Sequence, residues 1–540
     1  MSLPKKVHFP TVQTTVTAYG GGINENVSSL ELGPGELLSI SDNYYIADGT
    51  TGGYRSIKGY ERFDGKAKPS SVAATELDYT TREAARSAID EVPGIGNVLG
   101  LFVFNNKVYA FRNKATVGLD PLIAGMYVES AAGWVEINTS AHPLSQDGSI
   151  ESVEYNFLST PTSNVVIWID GVNKARMFDG TTITLIDNTG MGANDKPTHL
   201  AVHQDRLFLS YAGGSIQYTN VGDPTDWSAG SGELGFGYEV TSLTPNVGGT
   251  LLVTSKSFTK TLEGDSELTW TFKTFSDHTG AYSKTLNKIF DTVIFMSDAG
   301  VTTLASAQEF GSFKSSTISP KIGATLIRYS QTVSTAIVIK QLNQYRLFFT
   351  NNKCFVFSFS GKNLKGVTKV SYNIPVYHVV SSVSSSGVES IFFSSTGGYV
   401  YQMDSGTSFD GAAIKGRLAF PFYHHKSPRN LKRFLKLTGE VVSSDDMTVN
   451  IKTFFNYSAS GVPKGFVETG EIYGDANSFY GISKWGTMKY GGTAVTNVCS
   501  HNINGIGFNM SVQFFTESAF NGQHTFQNCI TDYEVLGRSM

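Results

Sequence analysis

His199 and His203 stand four residues apart, a spacing that on a helix would offer two imidazoles to one metal ion. They flank Leu200, Ala201 and Val202 and run into RLFLS, which reads as a strand, and on a strand such positions lie ~13 Å apart, too far to share a zinc. His424 and His425 are adjacent, so in a strand they point to opposite faces. Cys354, Cys499 and Cys529 are too few and too scattered for a disulfide framework or a Cys-pair metal site; free thiols are expected, with Cys499–Cys529 pairing left open. No residue pattern calls for a cofactor or a resident metal.

The densest positive charge is HHKSPRNLKRFLK, with Lys426, Arg429, Lys432, Arg433 and Lys436. Alternation along LKRFLKL would put Leu431, Arg433, Leu435 and Leu437 on one face and Lys432, Phe434 and Lys436 on the other. One reading is an assembly contact with an acidic partner; another is a strand with a solvated basic edge, which discourages edge-to-edge aggregation. Contact with phosphates is a third. Over the whole chain the formal charge is −4, so no global positive field would gather nucleic acid.

These residues must be carried by an all-β chain. Charged residues make up only 16% of the 540, while Gly and aromatics are plentiful, a composition of strands and turns. A chain this long exceeds what one core usually holds, so at least two domains are expected. Seven turn dipeptides sit between short apolar strands: Asn105-Asn106, Gly171-Val172, Gly213-Gly214, Ser255-Lys256, Asp298-Ala299, Asn351-Asn352 and Gly397-Gly398. Their steps of 66, 42, 42, 43, 53 and 46 residues suit four-stranded blades following one another. Asn, Gly and Asp tolerate the positive φ of tight turns, while Val, Ile, Phe and Tyr suit a half-buried pleated surface. The reading is a β-propeller of about six to eight blades, although a sandwich stack or β-helix would imitate the pattern. GWVEI around Trp134 and TTITLI at 181–186 read as outer strands.

The organisation follows. Residues 1–35, with Pro4, Pro10 and Gly20-Gly21-Gly22, read as an extended arm of the kind that grips neighbouring subunits. Residues 36–95 hold a hairpin turning at Gly52-Gly53, an eighth blade or a closing strand, then a connector with one short helix. That helix is expected over residues 80–91, where Thr80 and Glu83 form a capping box. The propeller spans 96–410. Beyond it, FLKLTGEV, MTVNIKTFFNY, GFNMSVQFF and ITDYEVL make longer alternating strands, a separate β-domain over 411–540. GEIYGDANSFYGISKWGTMKYGG within it reads as an aromatic loop, either a contact surface or one packed on its own domain. No apolar run approaches the ~20 residues that cross a bilayer, and the first residues lack a signal-peptide core, so membrane insertion is not expected.

GGINENVSSLELGPGEL, GGYRSIKGYERFDGKAKPS, GYVYQMDSGTSFDGAAI and SPRNLKRFLKLTGEV, with a fainter echo in GIGFNMSVQFFTES and TDYEV, resemble the tail nozzle proteins of short-tailed bacteriophages, also called tail tubular or packaged-DNA-stabilising proteins. The resemblance is strongest over the first hundred residues and about 390–450. It implies a structural virion protein made in the host cytoplasm: a propeller that forms a homo-hexameric ring beneath the portal and adaptor. Such a ring extends the channel for double-stranded DNA, retains it until ejection, and holds tail fibres or spikes.

A hydrolase or receptor-binding tail protein is the alternative. Asp298-Ala299-Gly300-Val301-Thr302 and DSGTSF at 404–409 are similar to the Asp-box turn of sialidase-like propellers, which braces a hairpin and is structural even in enzymes. Sialidase chemistry also needs an arginine cluster and a Tyr nucleophile with an acid partner, which the sequence does not assemble. No catalytic residue is assigned.

Overall fold

The computed structural model describes residues 10–17, 20–28, 31–47, 52–72, 79–114, 123–159, 164–228, 230–245, 249–276, 278–304, 316–443, 447–457, 467–472 and 496–538. Seven small antiparallel sheets form a closed seven-bladed β-propeller. Blade I runs from Ile95–Phe104 through Lys107–Asn113 and Ile123–Val128, with Val135–Ile137 and Leu144–Ser145 sharing its outer position. Blades II to VI occupy 151–185, 199–235, 242–276, 287–317 and 333–371, each a meander of four strands in chain order. Blade VII takes three strands from 378–403 and its fourth from Tyr60–Phe63, which pairs antiparallel with Val400–Met403. The segment after Gly52-Gly53 therefore supplies a closing strand, and the first strand of blade VII lies beside that of blade I.

Packing explains why the repeat was visible. The second strands of the blades, such as Val165–Ile169, Arg206–Ser210, Leu251–Thr254 and Gln344–Phe349, are buried along their whole length. Each lies between two neighbouring blades, so both faces must be apolar or paired and the sequence reads as a continuous hydrophobic run. Phe102, Phe104 and Phe111 of blade I meet Val166, Trp168 and Phe178 of blade II, and comparable clusters fill the other clefts of the ring.

Six of the seven turn dipeptides join second to third strands and share one face of the ring, the upper face. Asn105-Asn106 instead joins the first and second strands of blade I, with positive φ at both residues, on the lower face. The long first step is thus partly a change of position within the blade; the matching connection of blade I includes 115–122, outside the described residues. The 53-residue step holds the helix Gly323–Tyr329 between blades V and VI.

The second body is a β-sandwich built from both ends of the chain. One sheet orders Tyr44–Ile46, Tyr54–Ser56, His524–Arg538, Asn430–Ser443 and Thr496–Gly507; the other orders Ile414–Ala419, Met510–Ser518, Met447–Phe455 and Val467–Ile472. Tyr44, Leu418, Phe434, Val449, Phe514 and Phe526 meet between them, in a core continuous with blades V and VI. Two expectations need correction. The hairpin 44–56 is not a blade: its Tyr54 pairs with Phe526, so residues 36–95 divide between the two bodies. The described part of the arm is not a free extension: Thr11–Thr17 pairs with 528–534 and Gly21–Gly22 extends blade VI beside Gly366 and Val367, while residues 1–9 lie outside the described residues. A Thr/Val strand with unpaired backbone groups gains more from a long partner strand in reach than from solvent.

The helix expected over 80–91 is preceded by a second short helix, Pro69–Val72, and forms at Tyr79–Ser87, ending four residues early and with Thr80 inside it rather than at its cap. Its Arg86 pairs with Glu83 and Asp410, and Asp410 also holds Arg62 of the closing strand at 2.9 Å. The helix straps blade VII.

Candidate assembly surface

The basic run crosses from a turn into the strand Asn430–Ser443, which lies inside its sheet between His524–Arg538 and Thr496–Gly507. It is therefore no edge, and its exposed cations project from the outer face of the sheet. A bulge between Phe434 and Lys436 on both sides of the strand resets the alternation, so that Lys432, Phe434 and Leu437 point inward while Arg433 and Lys436 point outward. Simple alternation had placed Lys436 with Lys432 and Phe434. The extra residue, Leu435, separates them.

Lys432 is 0% exposed, and its ammonium donates to the carbonyls of Ser427 at 2.6 Å, Phe508 at 2.8 Å and Asn430 at 3.0 Å. Burial pushes its pKa down to about 8. It pins the turn to the strand and has no donor left for a partner, which removes it from the candidate contact. Lys426, Arg429, Arg433 and Lys436 remain at the surface. Arg433 stands beside Glu534 and Ile506, and Lys436 beside Asp532 and Asn502.

The histidines are brought to separate places. His199 Nδ1–H donates to the Glu151 carboxylate at 2.8 Å, whereas His203 is buried against Phe208, where desolvation lowers its pKa. His425 is buried among Tyr423, Phe434 and Tyr533, its pKa pushed down to about 3, while His424 meets Tyr457 Oη at 2.6 Å. Among the described residues no three His, Cys, Asp or Glu side chains gather as a metal-holding group. Cys499 and Cys529 are free because both stand opposite Gly439, one on each side of its strand, about 10 Å apart at the spacing of paired strands. Asp298 accepts from Tyr282 Oη at 2.6 Å, and Asp404 forms a paired bridge to the buried Arg346 at 2.9 and 3.0 Å. Both box-like turns therefore brace blades. Gly470–Ile472, the start of the stretch expected as an aromatic loop, end a strand, and the rest, with Trp485, lies outside the described residues.

One cluster carried no signal in the sequence, because its members come from separate blades. At the upper mouth of the propeller axis, Lys284 reaches from blade V to donate to Ser149 Oγ, before blade II, at 2.7 Å. Glu151 and His199 pair beside it, and burial, with the lysine charge second, holds the His378 imidazole down at about 3. Lys284 is itself lowered by burial against the pull of Glu151. The Lys284–Ser149 hydrogen bond crosses the axial mouth from blade V to the start of blade II.

The architecture is that of a seven-bladed propeller with a lateral β-sandwich. No family model matches the chain, and no curated protein matches it. Among solved structures it is similar to Raptor from Chaetomium thermophilum, at 12% identity and a TM-score of 0.39, covering 59% of this chain and 28% of that one. YCF48 from Cyanidioschyzon merolae aligns at 10% identity and a TM-score of 0.39, over 58% of this chain and 97% of that one. BamB from Moraxella catarrhalis aligns at 12% and 0.36, over 68% and 94%. No described helix is long and apolar enough to cross a membrane.

Proposed function

We propose that this chain is a structural protein of a short phage tail, a nozzle subunit that forms a ring, likened to a hexamer by its resemblance, below the portal and adaptor. The observation that carries the reading is where the resembling segments lie. Residues 21–37, 52–70 and 398–414 are scattered in sequence yet meet: Tyr60 stacks on Phe409, Glu61 accepts from Ser405, and Tyr54 Oη donates to the Gly35 carbonyl, while 427–441 lies in the sandwich sheet two strands from Tyr54–Ser56. The features shared with that family are thus the closure of the propeller and its seam with the sandwich, a scaffold rather than a reacting centre. Lys284 across the propeller axis supports a second point: DNA would pass through the axis of the ring of subunits, not through the axis of a propeller.

In this reading the protein is a virion component with no catalytic role; it extends the channel, retains packaged DNA and lets it leave, and fibres or spikes attach to its exterior. The test is electron microscopy and mass measurement of the purified protein, alone and mixed with portal, adaptor and fibre proteins of short phage tails. A ring with an open axial channel that joins the tail supports the reading. A monomer that cleaves polysaccharide and never joins a tail particle overturns it in favour of a glycan-degrading tail protein.

A further inference from the structure

The lower face of blades II to IV exposes three large apolar side chains, Leu158 at 70%, Val221 at 48% and Leu268 at 91%. They sit on loops that are knitted together. Ser159 N–H donates to the Gly222 carbonyl at 2.8 Å, Gly222 N–H to the Asp205 carbonyl at 2.6 Å, Gln204 to the Gly264 carbonyl at 2.8 Å, and Trp270 Nε1 to Gln204 at 3.1 Å. Three blades thus present one fixed surface, which costs little ordering entropy on binding.

Around the apolar centre lie Glu154, Asp179, Asp205, Asp223, Asp226 and Asp265. The cations there are already engaged: Arg206 pairs with Glu267 at 2.8 Å and Lys273 with Glu263 at 2.5 Å. Asp179 and Asp223 accept backbone N–H groups of their own turns, and side-chain and backbone donors from Ser228 and Asn220 lower Asp226. The surface is apolar in the middle and negative at its rim.

The outer face of the sandwich has the opposite composition. Ile506, 53% exposed, lies directly across from Arg433, with Lys436 farther along the same strand and Lys426 and Arg429 in the turn before it. Asp532 and Glu534 on the adjoining strand offset part of this charge and leave the cations in excess. The two surfaces also sit at opposite ends of the molecule. The sandwich meets the ring at blade VI through Tyr44–Ile46, its basic strand is three strands farther out, and blades II and III lie across the ring from blade VI.

We propose that the basic sandwich face of one copy docks on the acidic, apolar-centred lower face of blades II to IV of the next. The inference rests on the ring reading above and names its contact. Because the two surfaces differ and lie at opposite ends, the contact is head-to-tail, the kind that closes into a ring when its rotation fits. Complementary charge sets register and association rate, and the apolar centres exclude water.

The test uses full-length Leu268→Cys and Ile506→Cys chains, whose native thiols Cys354, Cys499 and Cys529 are all buried. Mixed and oxidised, they should give a disulfide-linked dimer that neither gives alone, and the double variant should give a ladder of linked oligomers. Arg433→Glu with Lys436→Glu should raise the concentration needed for half-assembly at least tenfold, and adding Glu154→Lys with Asp265→Lys should restore much of it. Assembly should also weaken as salt rises. Leu268→Cys linking to itself, or an oligomer that neither links nor responds to charge reversal, overturns this contact and leaves the ring reading standing. A wild-type chain that is monomeric at every concentration and absent from tail particles overturns both.

Discussion

Replacing Lys432 with Met separates what the basic run does for its own chain from what it does for a partner. In the folded protein the ammonium is sealed from water and bonded to three carbonyls. A fall in pKa from 10.5 to about 8 corresponds to about 3 kcal/mol for keeping the charge. That cost is already net of the three hydrogen bonds, so what the side chain contributes to stability is the satisfaction of three otherwise unpaired carbonyls. Methionine keeps the stem and relieves the desolvation, but leaves the carbonyls of Ser427, Asn430 and Phe508 without this donor. The net loss should be about 2–3 kcal/mol, reduced from the gross value because these residues are half-exposed and water reaches some of the oxygens. Hydrogen exchange read by mass spectrometry over 425–443 and 499–515 should then quicken about 30- to 150-fold at neutral pH. Wild-type protection should also rise as pH climbs from about 8 towards 10.5, since the unfolded chain there holds a proton that the folded chain has released; the Met variant should lack that rise. Arg433→Ser with Lys436→Ser should leave exchange within a fewfold while weakening assembly. An unchanged rate in the Met variant would refute the account and return Lys432 to the surface contact.

Asp404→Ala strands the Arg346 guanidinium, 1% exposed, in the cleft between blades VI and VII and should cost about 3–5 kcal/mol in denaturant titration, whereas Arg346→Met with Asp404→Leu should cost much less. Gly59→Ala should impair closure of the ring, because a Cβ there would meet the Ser408 carbonyl oxygen at 2.0 Å; limited proteolysis near 60–63 reports it. Burial holds the three thiols high, Cys499 at about 11 and Cys529 at about 12, so iodoacetamide at pH 8 should label none in the native chain and all three in denaturant, with no disulfide found. His425 and His524 are held down at about 3 and about 4, below the 6.5 of the unfolded chain. Stability should therefore fall as pH drops below about 6.5, by up to about 1.4 kcal/mol per pH unit for each until its folded value is reached, and His524→Gln should flatten that slope.

Much of the fold was legible because local physics wrote it. Second strands buried on both sides read as apolar runs, and tight turns called for Asn, Gly or Asp, so the blades stood out in order. The phase within each blade did not, since Asn105-Asn106 has the chemistry of any tight hairpin although it joins a different pair of strands. The five cations of the basic run were found as a group, but their sorting was missed: the bulge at Leu435 is a pairing property, invisible to strict alternation.

The sequence by itself determined an all-β chain, its repeat, the change of pattern near residue 410 and the run of positive charge, because each is written in neighbouring residues. Only the tertiary structure decided that there are seven blades, that Tyr60–Phe63 closes the ring, that Thr11–Thr17 joins the sandwich, and that Lys432 is capped inside while Arg433 and Lys436 face out. The axial Lys284 and the lower face of blades II to IV belong with these. They arise when residues some 60 to several hundred positions apart are brought together, and which strand edge meets which is set by the packing of the whole chain rather than by any local preference.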